Sequence, residues 1–111
     1  MISPYIFPGL KVNRVDKTQQ IIDIVCSVYN VKFSEIDNKD RHREIIQVRQ
    51  AIMYFLRKET SLSLKGISEL FYYPFDHTTI ISNIKVYYNV HRQDNRMKQN
   101  HKTIIEKLSA I

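Results

Sequence analysis

The chain has 111 residues, 43% of them hydrophobic, with two glycines and three prolines, which suits one compact domain and argues against a turn-rich all-β chain. No apolar run reaches the roughly 18 residues of a membrane span and no signal sequence starts the chain, so we expect a cytoplasmic protein without a membrane partner. The net charge of +6 lies wholly in residues 39–111, which carry thirteen basic and seven acidic side chains; this excess suits a polyanionic partner, although a solvated surface would carry it too.

An extended N-terminal arm is predicted over residues 1–15, because Pro4 and Pro8 prevent a long helix there. Its apolar side chains either cover the domain's own core or dock onto another protein. We favour the first alternative, since a small domain gains from any added burial. These apolar side chains are Tyr5, Ile6, Phe7 and Leu10.

An amphipathic helix is predicted to start at Asp16 or Thr18, both suitable N-caps, and to stop near Asn30. Cys26 lies on its apolar face and is expected to be a buried free thiol in a reducing compartment. A short helical piece around Ser34 follows. The apolar positions of the first helix are Ile21, Ile22, Ile24, Val25, Val28 and Tyr29.

A polar connection at residues 39–43 carries three cations, Lys39, Arg41 and Arg43. Placed between two helices, these cations have the reach to meet a phosphate or to enter a minor groove. An ordinary solvated loop is the alternative interpretation.

The strongest helical pattern runs from Arg43 to Thr60. A short helix capped by Ser61 or Ser63 comes next, and the aromatic turn at residues 72–75 breaks it. The buried positions predicted for these two helices are Ile45, Val48, Ala51, Ile52, Phe55 and Leu56, then Leu64, Ile67, Leu70 and Phe71.

Asp76 is predicted to cap a further helix, because its carboxylate suits the free amides and the positive dipole end of a first turn. Ile80, Ile81 and Ile84 would face the core, and the remaining first-turn side chains have the length to reach base edges. The order short helix, turn, polar-tipped helix is that of a helix-turn-helix. A last helix is predicted to bury Met97, Ile104, Ile105 and Leu108.

Three stretches together resemble the C-terminal DNA-binding domain of the bacterial replication initiator DnaA: residues 49–56, residues 63–71 and above all Asp-His-Thr-Thr-Ile at residues 76–80. The resemblance covers about residues 18–110 in the same order. It implies a compact, all-α helix-turn-helix domain over residues 16–111 and double-stranded DNA as the partner.

The resemblance also implies roles for individual residues. In that family the Asp-His-Thr-Thr block opens the helix that enters the major groove. It implies base contacts for His77, Thr78 and Thr79, a base-contacting or orienting role for Asp76, turn contacts for Leu64 and Lys65, a minor-groove contact for Arg41, and phosphate contacts for Arg49 and Lys85. Arg43, in the same basic connection as Arg41, is included among the DNA-binding candidates.

The chain departs from the family pattern at the helix-turn-helix. Ser68 stands where the family usually has a glycine, and residues 72–75 replace a glycine-rich turn that ends in a basic residue. We expect one phosphate contact to be lost there. No Gly-rich Lys-Ser/Thr loop occurs in these 111 residues, so no nucleotide binding or ATP hydrolysis is expected.

An enzyme and a protein-protein adaptor are the alternatives to a DNA-binding protein. Asp76 and His77 are adjacent on a helix and do not face one another, and the four histidines lack metal-ligand spacing, so we expect no enzyme, cofactor or metal site. A protein-protein adaptor that kept the fold and lost specific DNA binding is the alternative, favoured by the apolar arm and the altered turn. The sequence thus predicts a sequence-specific DNA-binding domain that acts on DnaA-box-like sites in replication or transcription control, without an ATPase motor.

Overall fold

The computed structural model describes residues 9–40 and 42–110 of the chain, with side chains from residue 17 onward. Over these residues the backbone forms six α-helices and no β-strand, which confirms the predicted all-α class. Within the same residues, no helix combines the length and the apolar character needed to cross a bilayer. The helices are α1 (Gly9–Tyr29), α2 (Phe33–Ile36), α3 (Arg43–Glu59), α4 (Leu64–Ser68), α5 (His77–Val90) and α6 (Asn95–Ser109).

The first helix begins earlier than predicted. It starts at Gly9, so the extended arm predicted over residues 1–15 is wrong for residues 9–15. Pro8 directly precedes the helix and no proline lies within it, which leaves nothing in the chain to interrupt helical hydrogen bonding after Gly9. The rest of the predicted arm lies outside the described residues, and its packing stays a prediction.

The end of α1 is where the sequence predicted it. Asn30 follows the helix with a left-handed φ of 57°, a conformation that asparagine tolerates better than most residues. Its N–H donates to the carbonyl of Ser27 at 3.1 Å, and the N–H of Val31 donates to the carbonyl of Cys26 at 3.0 Å. These bonds satisfy carbonyls that a helix end leaves free and turn the chain toward α2.

Helix α3 lies at the centre of the fold and packs against α1, α2, α4 and α5, while α6 packs against α1. The predicted apolar face of α3 is confirmed: five of its six residues are buried and Ile45 is half-buried. Cys26 is a buried free thiol, as predicted, and burial raises its pKa to about 11, which keeps it protonated. The fully buried side chains include Ile21, Val25, Ile36, Ala51, Ile52, Met53, Phe55, Leu56, Ile67, Ile80, Tyr87 and Ile104.

Helices α4 and α5 form the predicted helix-turn-helix. The Ser63 hydroxyl caps α4 by accepting the N–H of Gly66 at 3.1 Å. The helix ends at Ser68 and not at Phe71 as predicted, because the N–H groups of Leu70 and Phe71 donate to carbonyls three residues back instead of four. The Ser68 hydroxyl donates to the carbonyl of Phe75 at 3.0 Å, which joins the turn to the end of the helix. Phe71 lies beyond the end of the helix, and its side chain is buried.

Helix α5 buries a narrower face than the sequence indicated. Ile80 and Tyr87 are fully buried and Ile84 is half-buried, which defines one stripe at helical spacing. Ile81 was predicted to face the core, but its exposed fraction is 38%. It lies about 100° around the helix from Ile80, outside that stripe. Much of the α5 surface is therefore open to solvent.

Two histidines join α5 to α6 in an aromatic cluster with α3. The rings of His91 and His101 stack at 4.0 Å, and the Tyr87 hydroxyl lies within hydrogen-bonding distance, 2.9 Å, of Nδ1 of His101. His91 Nδ1 donates to the Tyr87 carbonyl at 2.8 Å. Burial, followed by the nearby His91 and Lys58, lowers the pKa of His101 to about 4.

We expect acid to destabilise the fold through His101. Its folded-state pKa lies below the ordinary 6.5, so between these values the unfolded chain binds more protons, and stability falls as the pH falls through that window. His101→Gln keeps a hydrogen-bonding partner for Tyr87 but does not titrate. Circular-dichroism melting between about pH 7 and pH 4 should therefore show a weaker pH dependence for this variant than for the wild type. The exposed His77→Gln is the matched control, and an equally steep loss in His101→Gln would contradict the assignment.

Candidate nucleic-acid interface

The N-terminus of α5 presents the polar residues that follow Asp76. Oδ1 of Asp76 accepts the N–H of Thr79 at 2.7 Å, which confirms the predicted cap. This backbone hydrogen bond holds the pKa of Asp76 below its ordinary value, so the carboxylate is charged at neutral pH. His77, Thr78 and Thr79 are all exposed around it. Asp76 thus fixes the start of a helix whose first turn is open to a ligand.

A groove of about 280 Å³ lies beside this first turn. Lys39 lines it from the loop between α2 and α3, and Thr79 and Asn83, one turn apart on α5, line it from the helix. The groove therefore brings together the basic loop and the polar helix start, which are far apart in the sequence. Its other lining residues are Ile46, Arg49, Tyr73 and Phe75.

Arg49 is buried, with 6% of its surface exposed, and its guanidinium holds the loop in place. Nε donates to the carbonyl of Ile36 at 3.0 Å, and Nη2 donates to the carbonyls of Asn38 and Asp40 at 2.9 and 3.1 Å. The guanidinium carbon also lies 5.0 Å from the centre of the Phe75 ring. Burial lowers the pKa of Arg49, yet arginine stays charged. The residue predicted to meet a phosphate is thus in the groove and also organises the loop.

The loop is ordered by hydrogen bonds on both sides of position 41. Asn38 Oδ1 accepts the N–H of Asp40 at 2.8 Å, and Asp40 Oδ1 accepts the N–H of His42 at 2.9 Å. The Asp40 carboxylate also contacts the His42 ring. Hydrogen bonding to His42 lowers the pKa of Asp40, and the same contact raises the pKa of His42. Arg41 itself lies outside the described residues, so its minor-groove contact stays a prediction.

The other candidate cations differ in their surroundings. Nη2 of Arg43 lies 3.5 Å from Oδ2 of Asp94, the residue that caps α6. An exposed pair of this kind is weak, so Arg43 can still exchange its partner for a phosphate. Lys65 and Lys85 are exposed, and Leu64 at the start of α4 is half-buried. The DNA contacts of Arg43, Leu64, Lys65 and Lys85 stay predictions.

Asp37 contributes a contact that the sequence did not indicate. Its Oδ2 accepts the N–H of Tyr72 at 2.7 Å and its Oδ1 accepts the N–H of Tyr73 at 2.8 Å. The carboxylate therefore ties the loop before α3 to the turn of the helix-turn-helix. The partners are separated by more than thirty positions, and no local pattern in a sequence reveals such a pairing. The sequence did indicate Lys39 as a possible DNA contact, because it belongs to the basic connection at residues 39–43. It gave no indication that Asn83 lies at the interface.

The turn before α5 is an aromatic cluster. Phe75 is buried and its ring meets Phe71 edge to face at 5.3 Å, while Tyr73 lies 4.7 Å from Phe75. Phe71 in turn lies 5.3 Å from Phe33 of α2. Aromatic pairs at these distances stabilise a fold beyond their buried area. Apolar packing therefore sets this turn, where a glycine-rich turn relies on backbone freedom.

This region of the chain is similar in sequence to known proteins. Residues 18–86 match the family described as bacterial dnaA protein helix-turn-helix. The chain is 32% identical over 93 residues to the chromosomal replication initiator protein DnaA of Neisseria meningitidis, covering 84% of this chain and 18% of that protein. It is 40% identical over 81 residues to DnaA of a Synechocystis strain, covering 72% and 17%, and 26% identical over 110 residues to DnaA of a Synechococcus strain, covering 99% and 23%. The chain thus spans about a fifth of the length of these relatives.

Replacing Arg49 tests whether its hydrogen bonds hold the loop. Arg49→Met keeps an unbranched apolar stem but leaves three loop carbonyls without a donor, so we expect the free energy of unfolding to fall by about 1.5–3 kcal/mol. Denaturant titration measures this loss. Arg57→Met, at an exposed residue with one hydrogen bond to the Leu62 carbonyl, is the control and should change stability little. Equal small effects in both variants would refute the structural role of Arg49.

Proposed function

Because the chain belongs to the bacterial DnaA helix-turn-helix family, we propose that it binds double-stranded DNA sequence-specifically, at sites like DnaA boxes, in the control of replication or transcription. The matched residues are the helix-turn-helix of that family, and the chain spans about a fifth of the relatives' length. The binding that we propose uses no nucleotide, metal or catalysis. The cytoplasm is the compartment in which such a protein would act.

The observation that carries this proposal is the groove between the basic loop and the start of α5. In a DNA duplex, one sugar-phosphate strand separates the major groove from the adjacent minor groove. A protein that places α5 in the major groove and the loop at residues 39–43 toward the minor groove must let this strand pass between them. Lys39, Arg49, Thr79 and Asn83 line that passage. The ammonium of Lys39 and the hydroxyl of Thr79, both exposed, suit phosphate oxygens, and the charge of Arg49 adds to the attraction.

The position of the groove supports different proposed contacts for neighbouring residues on α5. Thr79 lines the passage with Asn83, so we assign its hydroxyl to the backbone strand, although the resemblance implied a base contact. His77 and Thr78 are exposed at the helix tip and do not line the groove. We assign base-edge contacts to these two residues, with Asp76 orienting the helix. Lys85 is exposed and lies about two helical turns after Thr78. It would contact the DNA backbone farther along the duplex.

A protein-protein adaptor is the second candidate function, since Ile81 and Tyr88 expose apolar surface on α5, with exposed fractions of 38% and 50%. The predicted N-terminal arm would add to such a docking surface. The positive charge of residues 39–111 favours DNA over this alternative. Selection of duplexes from a random pool decides between them, because an adaptor would enrich no sequence.

Adjacent substitutions on α5 test the base-reading assignment. Thr78→Ala should weaken binding to the selected duplex by about 1–3 kcal/mol and leave binding to a scrambled duplex unchanged. Thr79→Ala is the neighbouring comparison and should weaken both duplexes alike, because a backbone contact carries no sequence information. Fluorescence anisotropy measures both affinities. A uniform loss in Thr78→Ala would defeat the claim that this residue reads a base.

The basic loop is tested through the salt dependence of binding. Lys39→Ala and Arg41→Ala should each reduce affinity and lower the slope of log affinity against log salt by roughly one unit, because each removes a positive charge that displaces counterions, Lys39 at a phosphate and Arg41 at the minor groove or its phosphates. Lys107→Ala, at an exposed residue in the last turn of α6, is the control and should leave the slope unchanged. If the loop variants keep the wild-type slope and affinity, the loop is only a solvated connection.

A further inference from the structure

Tyr72 is the most exposed large apolar side chain in the described part of the chain, with an exposed fraction of 95%. It lies in the turn of the helix-turn-helix, where the neighbouring Phe71 and Phe75 are buried. A phenol ring in this position makes almost no contact with its own protein. Single exposed aromatic residues are common, so the argument depends on what surrounds Tyr72.

The backbone that carries Tyr72 is held firmly. Oδ2 of Asp37 accepts the Tyr72 N–H at 2.7 Å, and Oδ1 accepts the next N–H, that of Tyr73, at 2.8 Å. The Tyr73 ring packs on Phe75 at 4.7 Å, and the Ser68 hydroxyl donates to the Phe75 carbonyl at 3.0 Å. Binding through a side chain on a held backbone loses little conformational freedom, because only the two side-chain torsions of tyrosine remain to be ordered.

The neighbours of Tyr72 point to the partner of its ring. Tyr73, the next residue, lines the groove with Lys39 and Arg49, and Asp37, which holds the Tyr72 backbone, begins the loop that carries Lys39. Tyr72 therefore adjoins, along the chain, a residue that lines the passage that we assign to a sugar-phosphate strand. An apolar protein partner would have to cover these cations, which makes a nucleic-acid strand the better fit.

We propose that the Tyr72 ring packs against a deoxyribose of the strand that runs through this groove. The inference rests on the proposed function and adds a contact to it. The apolar face of the ring suits the C–H groups of the sugar, while its neighbours in the groove suit the phosphates. Because the ring is neutral and a sugar carries no sequence information, this contact adds affinity without salt dependence or base preference.

Affinity measurements on four proteins test this contact: the wild type, Tyr72→Ala, Tyr72→Phe and Tyr88→Ala. Tyr88 is the matched control, an exposed tyrosine near the other end of α5, beside Arg92. The probes are the duplex recovered by selection and a scrambled duplex of equal length, each at several salt concentrations. Tyr72→Ala should weaken both duplexes by roughly three- to tenfold, with an unchanged salt slope. Tyr72→Phe and Tyr88→Ala should bind as the wild type does.

A fluorescent reporter gives a second readout that does not depend on affinity. The chain contains no tryptophan, so Tyr72→Trp and Tyr88→Trp each place one indole at a chosen position. Adding the selected duplex should shift and quench the emission of the residue-72 indole and leave that of the residue-88 indole unchanged. Because both side chains are exposed, neither change threatens the core, and melting curves verify the fold.

The outcomes separate this inference from the proposed function. If the wild type prefers no duplex over the scrambled one, the proposed function fails. If the wild type binds its selected duplex and Tyr72→Ala binds equally well, the inference is overturned while the function stands. A loss confined to the selected duplex, or a changed salt slope, would also overturn it, because those results indicate a base or a phosphate contact.

Discussion

The geometry of the candidate interface depends on one buried guanidinium. Arg49 satisfies three carbonyls of the loop before α3, at Ile36, Asn38 and Asp40, and lies over the ring of Phe75. Burying a charge is costly unless hydrogen bonds compensate for the lost water. Here the compensation comes from the loop itself, so the loop cannot move away without leaving the charge unsatisfied. A single residue of the central helix thereby sets the position of the basic loop.

A second tether turns this loop and the helix-turn-helix into one unit. The carboxylate of Asp37 holds two amides of the turn before α5, and ring contacts from Phe33 to Phe71 and from Phe71 to Phe75 link α2 to the same turn. The loop and the turn that leads into α5 are therefore joined by both polar and aromatic contacts. Surfaces arranged in this way before binding avoid the cost of ordering them in the complex. The groove between loop and helix owes its shape to these two tethers.

The sequence predicted what depends on local pattern and missed what depends on distant pairing. The cap at Asp76, the stop at Asn30 and the buried face of α3 are confirmed, because each follows from the residues of one or two helical turns. Helix α1 starts earlier than predicted, because Pro8 lies just before the helix and does not restrict the residues that follow Gly9. Asp37 had no local signal, because its partners follow α4. The exposed Ile81 shows that periodicity alone does not give the width of a buried stripe.

The altered turn places an aromatic ring beside a buried positive charge. Where the resembling family has a basic residue before the aspartate, this chain has Phe75, and that ring lies against the guanidinium of Arg49 at the groove. A ring face stabilises a cation that is partly removed from water. Ser68, in place of a glycine, fixes the same turn through its hydroxyl. In the complex that we propose, the phosphate contacts along this groove would set the register of α5 in the major groove, because such contacts fix the position of a protein on the duplex.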